Sequence, residues 1–350
     1  MADFHELKIA TVEPQTSTAV SLKFQVPSTL SEAYQFVAGQ YVNLSSVING
    51  KEVRRAYSIC SAPSSGDLTV LVKKVENGVF STFANEQLKA GDLIKVATPE
   101  GRFVLPQAES GHYLFVAAGS GITPVLSMIT DCLQNRPNTK LVLVYGNRNQ
   151  DGTIFKAELE NLQAQFPERL QIEWIYSRQD GDSFHFGRID RSKVGYVINN
   201  KYQDQKFDEA FVCGPGDMID TVIEALADFG MPQEKVHFER FTVSADDGEA
   251  TTTEVPDGNA AITFVIDDES NTITAPNSIS VLDIALKNDL DAPYSCQGGI
   301  CSSCIARVTS GSAEMRKNQI LTDSEVAEGL ILTCQAHATS AQLTVDYDDV

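Results

Sequence analysis

The segment Tyr113-Leu-Phe-Val-Ala-Ala-Gly119-Ser-Gly121-Ile-Thr-Pro124 decides the fold of the middle of this 350-residue chain. Its first six residues form a continuous apolar run of strand length, as expected for a parallel strand covered by helices on both faces. Small residues follow, and then Thr123 and Pro124 suit the N-cap and the first position of a helix. A strand, a glycine turn and a helix in this order predict a doubly wound α/β domain.

The alternation of strands and helices continues after this segment to about residue 241. Short apolar runs predict further strands at residues 141–145, 170–176 and 210–213. Apolar residues at helical spacing predict two more helices, one from Phe155 to Phe166 and one that ends at Gly230. We therefore assign residues 109–241 to the α/β domain.

Residues 1–108, which precede this domain, have a strand-like pattern. In Val20-Ser-Leu-Lys-Phe-Gln-Val26, apolar and polar residues alternate at period two, so one face of the strand is buried. Turn residues separate it from five similar runs, at 7–12, 40–44, 54–59, 68–75 and 93–97. Six short strands favour a closed or nearly closed antiparallel β-barrel, because closure removes exposed strand edges.

The chain changes character again after residue 241. Residues 242–258 hold five acids, no base and almost no large apolar side chain, so we predict a flexible acidic linker. Residues 259–350 predict a small β-grasp-like α+β domain. Its expected elements are a hairpin at 262–266 and 272–274, a helix at 281–287 capped by Ser280 and Asp283, and strands at 305–308 and 343–347.

The composition excludes several classes of protein. The chain has 47 acids and 27 bases, a net charge of -20, whereas surfaces for nucleic acid or anionic membranes need clustered Lys and Arg. The apolar runs are too short to span a bilayer, and the first residues do not form a secretory signal. We therefore expect a cytoplasmic protein whose seven cysteines are ligands, thiols or core residues rather than disulfides.

The last four cysteines carry the most specific signal. Cys296, Cys301 and Cys304 have C-x4-C-x2-C spacing, and Cys334 follows 30 residues later. This is the spacing of a plant-type [2Fe-2S] site, and the glycines within the loop allow backbone N–H groups to turn toward the sulfurs. The alternative is a structural zinc ion on the same cysteines. Zinc ribbons usually pair two short C-x2-4-C knuckles, so the spacing favours the cluster.

Two glycine turns predict a dinucleotide site. The turn Gly119-Ser-Gly121 joins a buried strand to a helix, where a diphosphate can approach the backbone at the positive end of the helix. A second turn, Cys213-Gly-Pro-Gly216, has the same strand-to-helix context. A glycine turn before a helix is often only a turn, and the doubly wound context is what favours a nucleotide site.

Two arginines bear on the choice between NADPH and NADH. Arg148 and Arg178 follow neighbouring predicted strands, where an Arg can pair with a 2′-phosphate and an acid would favour the free hydroxyl of NADH. Asp180 and Asp182 lie close in sequence and leave NADH possible. Two ordinary surface arginines are the alternative. We expect NADPH.

The barrel domain contains a third candidate site. Arg54-Arg55-Ala56-Tyr57-Ser58-Ile59 ends a strand, and Gly78-Val79-Phe80-Ser81 opens a helix. An Arg beside a helix N-terminus can clamp a diphosphate, and a Tyr two residues further on can cover a planar ring. From the residues alone this pattern is only suggestive.

These motifs together resemble the ferredoxin-NADP+ reductase superfamily. With the C-terminal cysteine domain, the whole chain is similar to oxygenase reductases. Within that group, the reductase subunits of phenylacetyl-CoA epoxidases are the most similar. The stretches that carry this are Arg55-Ala-Tyr-Ser-Ile-Cys60, Ala117-Ala-Gly-Ser-Gly-Ile-Thr-Pro124, Tyr145-Gly-Asn-Arg148, Phe186-Gly-Arg-Ile-Asp190 and Phe238-Glu-Arg-Phe241. Steroid 9α-hydroxylase reductases share the layout.

The resemblance implies three cofactors and the residues that bind them. FAD would be bound by Arg55, Ala56, Tyr57 and Ser58 on the strand and by Gly78, Val79, Phe80 and Ser81 at the helix. NAD(P)H would be bound by Gly119, Ser120, Gly121, Thr123 and Pro124, by Arg148, Ser177 and Arg178, and by Cys213, Gly214, Pro215 and Gly216. Ser58, Cys213 and Glu239 would be catalytic, Phe241 would approach the flavin, and Cys296, Cys301, Cys304 and Cys334 would hold a [2Fe-2S] cluster.

These cofactors predict an electron-transfer enzyme. NADPH delivers two electrons as hydride, a [2Fe-2S] cluster accepts one at a time, and a flavin can connect the two. We expect transfer from NADPH to FAD to the cluster and on to a separate oxygenase, most specifically a di-iron phenylacetyl-CoA epoxidase. The alternatives are a reductase for a Rieske-type or steroid hydroxylase, and a non-catalytic iron-sulfur carrier or redox sensor.

The acid excess is concentrated at one end of the chain. Residues 242–350 carry a net charge of -14, and residues 1–241 carry -6. We therefore expect the cysteine domain to meet a basic patch on the oxygenase.

Overall fold

The computed structural model describes residues 3–108, 110–178, 184–241 and 258–350. The chain divides into two compact units, one spanning Phe4–Phe241 and a carboxyl-terminal unit described from residue 258. The predicted linker lies outside the described residues, apart from Gly258. The domain boundaries at residues 108, 241 and 258 stay predictions.

The first unit begins with a six-stranded antiparallel sheet. Its strands are β1 (Phe4–Thr16), β2 (Ala19–Gln25), β3 (Tyr41–Ile48), β4 (Lys51–Ser58), β5 (Leu68–Lys73) and β6 (Leu93–Ala97). The order is β4-β3-β6-β1-β2-β5, and a bridge between Ile59 and Val70 brings the two edge strands together. The sheet therefore curls into a nearly closed barrel around an apolar core, as predicted.

One helix packs against this barrel. Helix α1 (Val79–Glu86) turns Phe80 and Ala84 into the barrel core. Its first turn has no side-chain cap, so the N–H groups at this end are not satisfied by a neighbouring side chain.

The rest of the first unit is a five-stranded parallel sheet with helices. The strands are β7 (Ser110–Ala118), β8 (Asn138–Asn147), β9 (Leu170–Tyr176), β10 (Glu209–Gly214) and β11 (Val236–Arg240), in the order β11-β10-β7-β8-β9. The helices are α2 (Ile122–Asn135), α3 (Lys156–Gln165), α4 (Arg191–Tyr196) and α5 (Gly216–Asp228). The predicted α/β fold is confirmed, while strand β11 was not predicted because its polar, half-exposed edge lacks an apolar run.

The predicted start of helix α2 is wrong. A 3-10 turn at Gly119–Gly121 leads directly into a helix that begins at Ile122, and Gly121 already has helical dihedral angles. Thr123 is therefore inside the helix, where its Oγ1 donates to the Ser120 carbonyl at 2.9 Å, and is not the N-cap. The chain can enter the turn this early because Gly119 adopts a φ of 57°.

The carboxyl-terminal unit is a small mixed α+β domain, as predicted. Its elements are β12 (Asn259–Ile266), β13 (Glu269–Pro276), α6 (Val281–Lys287), β14 (Ile305–Ser310), β15 (Ala313–Met315), α7 (Asp323–Ala327), β16 (Leu330–Leu332), β17 (Ala336–Ala338) and β18 (Gln342–Asp346). Five strands form a sheet in the order β13-β12-β18-β14-β16, and β15 pairs with β17. Ser280 Oγ accepts from Asp283 N at 3.1 Å and caps α6 as predicted. The three-residue strands and α7 were not predicted, because each is too short for a periodic signal.

None of the helices described here is long and apolar enough to cross a membrane.

Candidate cofactor sites

The carboxyl end of strand β4 carries the residues predicted to contact the flavin. Arg55 is exposed, and Tyr57 is partly buried with its ring 5.6 Å from the ring of Phe80. Ser58, the last residue of the strand, is 5% exposed. Burial raises the pKa of Tyr57, more than the nearby Arg55 lowers it, so the phenol stays neutral. This end of β4 therefore offers a cation, a neutral ring and a hydroxyl.

The turn before helix α1 requires glycine. A Cβ at Gly78 would lie 2.3 Å from Ser81 Oγ and 2.5 Å from Val75 Cγ2. The uncapped N–H groups of the first turn can face an anionic ligand. Phe80 is 1% exposed and points into the barrel core, so it can contact a diphosphate only through its backbone.

The two glycine turns of the α/β domain touch each other. A Cβ at Gly121 would lie 2.2 Å from the Cys213 carbonyl oxygen and 2.8 Å from Gly214 N. The N-terminus of α2 has no side-chain cap. Thr123 and Pro124 are buried, whereas Ser120 and Pro215 are at least partly exposed. A ligand in the crevice beside these two turns would therefore meet mainly backbone groups, because the side chains of Thr123 and Pro124 are buried.

The predicted 2′-phosphate residues are brought together by β8 and β9. Arg178 N donates to the Arg148 carbonyl at 2.8 Å, and Ser177 N donates to the Asn147 carbonyl at 2.9 Å. Both arginines are exposed at the carboxyl ends of neighbouring parallel strands. Asp180 and Asp182 lie outside the described residues.

Two residues beside the carboxyl ends of the parallel strands were missed in the sequence. Lys73, at the end of β5 in the barrel, places its Nζ 3.2 Å from where a Cβ on Gly119 would be. Burial and then Arg148 lower the pKa of Lys73, because both disfavour its positive charge. A bound anion would stabilise that charge. Phe186 is 46% exposed and forms a bridge with Tyr176 at the end of β9. A lysine just before the Gly78 motif, and an aromatic residue just after Arg178, were the available signals.

The three residues predicted to be catalytic meet where the barrel and the α/β domain join. Ser58 Oγ donates to Glu239 Oε2 at 3.2 Å. Cys213 is the register partner of Glu239 on the neighbouring parallel strand. Phe241 follows two residues later and packs against apolar residues contributed by both domains. The cluster therefore joins β4 of the barrel to β10 and β11 of the parallel sheet.

Burial sets the protonation of this cluster. It raises the pKa of Glu239 to about 8, although the hydrogen bond from Ser58 acts in the opposite direction. Burial, and then the charge of Glu239, raise the pKa of the Cys213 thiol. At neutral pH both groups therefore hold their protons.

In the carboxyl-terminal unit the four predicted ligands form two pairs. Cys301 Sγ donates to Cys296 Sγ at 3.1 Å, and these two residues are partly exposed. Cys304 and Cys334 are buried and hydrogen-bonded to each other. Across the part of the chain that the structure describes, no three His, Cys, Asp or Glu side chains converge on a single metal position. Two pairs of thiols are the arrangement needed by two bridged irons.

The surroundings of the thiols also fit a cluster. The Cys301 thiol lowers the pKa of Cys296 to about 6 despite burial, and the backbone N–H of Gly298, 3.3 Å from Cys296 Sγ, acts in the same direction. A Cβ at Gly299 would lie 2.9 Å from the Lys317 carbonyl oxygen, so the loop requires glycine there. Two buried hydroxyls of this unit, on Ser295 and Tyr347, have no hydrogen-bond partner among the described residues. Donors near the sulfurs are what a cluster needs in its reduced, more negative state.

Comparisons with known protein families match all three domains. An oxidoreductase FAD-binding domain matches residues 7–105, an oxidoreductase NAD-binding domain matches 115–224, and a 2Fe-2S iron-sulfur cluster binding domain matches 264–339. The chain therefore has FAD, NAD(P) and [2Fe-2S] domains, and these predicted cofactors are confirmed.

Relatives with the same layout match nearly the whole chain. A component of the 1,2-phenylacetyl-CoA epoxidase of Escherichia coli is 38% identical, with 99% of each chain covered. The ferredoxin reductase component of the 3-ketosteroid-9-alpha-monooxygenase of Mycolicibacterium smegmatis is 33% identical, with 98% of this chain and 97% of the relative covered.

A solved structure has the same domain content. It is a phthalate dioxygenase reductase, described as a modular structure for electron transfer from pyridine nucleotides to [2Fe-2S], with 25% identity, 98% of each chain covered and a TM-score of 0.62. This chain is an NAD(P)H-dependent oxidoreductase that passes electrons through FAD to a [2Fe-2S] cluster, as the reductase component of an oxygenase. It belongs to the ferredoxin-NADP+ reductase family, in the group of oxygenase reductases that carry a C-terminal [2Fe-2S] domain.

Proposed function

We propose that this protein takes electrons from NADPH and delivers them to a phenylacetyl-CoA epoxidase. The full-length similarity to a component of that enzyme supports this partner over a steroid monooxygenase, whose reductase components are less similar. The three domains supply one site for each step, and FAD, when bound, accepts electrons as a pair and releases them singly.

The observation that carries the proposal is the hydrogen bond between Ser58 and Glu239. It joins the strand that would hold the flavin to the edge of the domain that would hold the nucleotide, 3.2 Å apart. Hydride transfer requires the two rings to meet at one place, and productive geometry depends on positioning by rigid elements. Ser58, Cys213 and Glu239 are polar groups at this junction and would position the two rings.

On the flavin side, each residue has a role that its place in the structure supports. Arg55 and the uncapped N–H groups that follow Gly78 would bind the FAD diphosphate. Tyr57, kept neutral by burial, would cover the flavin ring, and Ser58 would hydrogen-bond near flavin N5.

On the nucleotide side, the turn at Gly119–Gly121 would bind the diphosphate with help from Lys73 of the barrel. The second turn, from Cys213 to Gly216, would border the nicotinamide. Phe186 would lie under the adenine, because it is an exposed ring beside the end of β9.

Arg148 and Arg178 support NADPH as the nucleotide. Both are exposed beside one another at the end of β8 and β9, where two cations can hold a 2′-phosphate. Arg178→Ala should lower kcat/KM for NADPH at least tenfold and leave that for NADH nearly unchanged, with Arg191→Ala as a surface control. An equal loss with both nucleotides would contradict the 2′-phosphate role.

Glu239 would hold a proton beside the flavin. Its carboxyl is protonated at neutral pH because burial raises its pKa to about 8. Ser58 Oγ, within hydrogen-bond distance, connects that carboxyl to the flavin-binding strand. A positioned acid of this kind can assist a reaction that consumes a proton along with a hydride.

The partner is tested by reconstitution. The purified holoprotein, whose flavin and cluster absorption should bleach on addition of NADPH, is combined in turn with the oxygenase components of a phenylacetyl-CoA epoxidase and of a 3-ketosteroid 9α-monooxygenase. We expect NADPH-dependent epoxidation of phenylacetyl-CoA with the first and at least tenfold slower turnover with the second. Faster turnover with the steroid enzyme would overturn the proposed partner, and a protein that NADPH does not bleach would overturn the NADPH-driven chain itself.

A further inference from the structure

Tyr347 is a buried residue whose ring packs in an apolar core but whose hydroxyl has no role in that packing. It follows β18 directly, is 7% exposed and belongs to the same apolar core as Cys304 and Cys334. Its backbone N–H donates to the Val265 carbonyl at 3.0 Å, so the residue extends the central strand β18 alongside β12. Its hydroxyl is fully buried and has no hydrogen-bond partner among the residues that the structure describes. A buried hydroxyl left without a partner costs about 1–3 kcal/mol, so its presence calls for an explanation.

The strand register brings the backbone of Tyr347 close to that of Cys304. Arg307 pairs with Asp346 across antiparallel strands β14 and β18, so Tyr347 lies opposite Ala306. Cys304, two residues before Ala306, is on the same face and diagonal to Tyr347. Diagonal neighbours of this kind are within reach of an aromatic side chain.

The neighbouring hydroxyl of Thr333 already donates its proton elsewhere. Thr333 lies beside Cys304 on the next strand, and its Oγ1 donates to the Cys304 carbonyl at 2.9 Å. Thr333 lies near the Tyr347 hydroxyl and is therefore the competing acceptor for its proton. The phenol O–H has one proton to donate.

We infer that the Tyr347 hydroxyl donates a hydrogen bond to the Cys304 thiolate when Cys304 binds the cluster, and so raises the reduction potential of the cluster. Ligating thiolates are negatively charged acceptors, and a donor to them stabilises the reduced, more negative cluster. This role makes Tyr347 a positioning and tuning residue rather than a ligand. It depends on the cluster alone, and not on which oxygenase receives the electrons.

The test is the midpoint potential of the cluster in the full-length holoprotein, measured by redox titration followed by electron paramagnetic resonance. Tyr347→Phe should shift the reduction equilibrium about tenfold toward the oxidised form, which is a change of about 59 mV for a one-electron couple. Iron content and the visible spectrum should be unchanged. An unshifted potential in a fully loaded Tyr347→Phe protein would overturn the inference.

Two further variants separate this role from a packing effect. In a Thr333→Val background, Tyr347→Phe should shift the midpoint potential by the same amount. If the shift is absent in that background, the Tyr347 hydroxyl donates to Thr333 and not to the cluster ligand. Replacement of Tyr347 by 3,5-difluorotyrosine keeps the shape and strengthens the donor, so the potential should move in the positive direction. This variant also decides the question if Tyr347→Phe loses the cluster, since no shift or a negative shift with difluorotyrosine would refute the hydrogen bond.

Discussion

Single residues in this protein are tuned by burial more than by neighbouring charges. Glu239 and Cys213 both have raised pKa values because they are removed from water at the junction of two domains. Cys296 has a lowered pKa because a thiol and backbone N–H groups donate to it. Cysteines therefore differ with their surroundings: burial keeps the Cys213 thiol protonated, whereas hydrogen bonds favour the ionised form of Cys296.

The protonated state of Glu239 predicts a pH dependence. The carboxyl holds its proton below about pH 8 and loses it above, so the rate of flavin reduction by NADPH should fall as the pH rises through 8. Glu239→Gln should be about a hundredfold slower below pH 8 and should lack this decline, given the usual contribution of a positioned acid. Stopped-flow absorption from pH 6 to 9.5 measures both.

Glu209→Gln is a matched control for this experiment. Glu209 lies on strand β10 and binds His237 at 2.8 Å, away from Ser58. Its variant should keep the wild-type profile. A decline above pH 8 that persists in Glu239→Gln would assign the titration to another group.

The cysteine pairs predict which electron-transfer step is lost when a predicted cluster ligand is removed. Cys301→Ser removes one of the two partly exposed thiols, so the cluster should be lost or should no longer transfer electrons. The predicted flavin site should be unaffected, because it belongs to the other unit. Reduction of a one-electron protein acceptor such as cytochrome c should fall at least tenfold. Reduction of ferricyanide directly through FAD should survive.

Cys132→Ala is the control for this cysteine change. Cys132 is buried in the apolar core of the α/β domain, where burial raises its pKa to about 12. Its variant should retain reduction of cytochrome c. If Cys301→Ser also retains it, the cluster is not on the path of the electrons.

At the scale of the elements, helix α2 depends on an arginine from another part of the chain. Arg169 donates to the carbonyls of Cys132, Leu133 and Arg136 at 2.7–3.0 Å, and also to Thr139. These are carbonyls at the end of α2, which a helix cannot satisfy by itself. A cation there also opposes the negative end of the helix dipole.

We predict that Arg169→Ala destabilises the first unit by about 2–4 kcal/mol, because several charge-assisted hydrogen bonds are lost together. Thermal unfolding followed by release of FAD fluorescence measures the change. The control is Arg191→Ala, which removes an exposed ion pair with Asp228 and should cost less than about 1 kcal/mol. Equal stability of the two variants would show that water replaces Arg169 at the helix end.

At the scale of the whole molecule, charge and function are unevenly distributed. The nucleotide and flavin sites belong to one compact unit, and the cluster ligands belong to the other. Residues 259–350 carry 13 acids and 4 bases, a net charge of -9. A strongly charged surface at the cluster-bearing end favours long-range steering toward a partner of opposite charge.

This distribution predicts that electron transfer to the oxygenase slows as salt increases. Raising the ionic strength from about 0.01 to 0.15 M shortens the Debye length from about 30 to 8 Å and should lower the second-order rate several-fold. The rate is measured by stopped flow with the reduced protein and the oxygenase component. Flavin reduction at saturating NADPH is the control, because the nucleotide is already bound. Equal salt dependence of the two steps would leave the acids a role in solubility alone.

Much of this architecture could be predicted from the sequence because its signals are local. The period-two pattern of β2, the apolar run of β7 and the Ser280 cap of α6 each depend on residues close together in the chain. The spacing of Cys296, Cys301 and Cys304 is likewise set by one loop. Short or half-exposed elements such as β11 and β15 could not be predicted, because they contain too few buried residues to show a period.

The sequence by itself determined the three-domain order and the fold of each domain. It also predicted the cofactors, through the resemblance that several short motifs carry together, and four cysteine ligands, through their spacing. Only the tertiary structure brought Ser58 to Glu239, 181 residues away, and sorted the cysteines into a partly exposed and a buried pair. It also placed Lys73 beside Gly119, and put Tyr347 in the same apolar core as Cys304. The reason is physical: contacts between distant residues, and the burial that shifts their pKa values, exist only once the chain has folded.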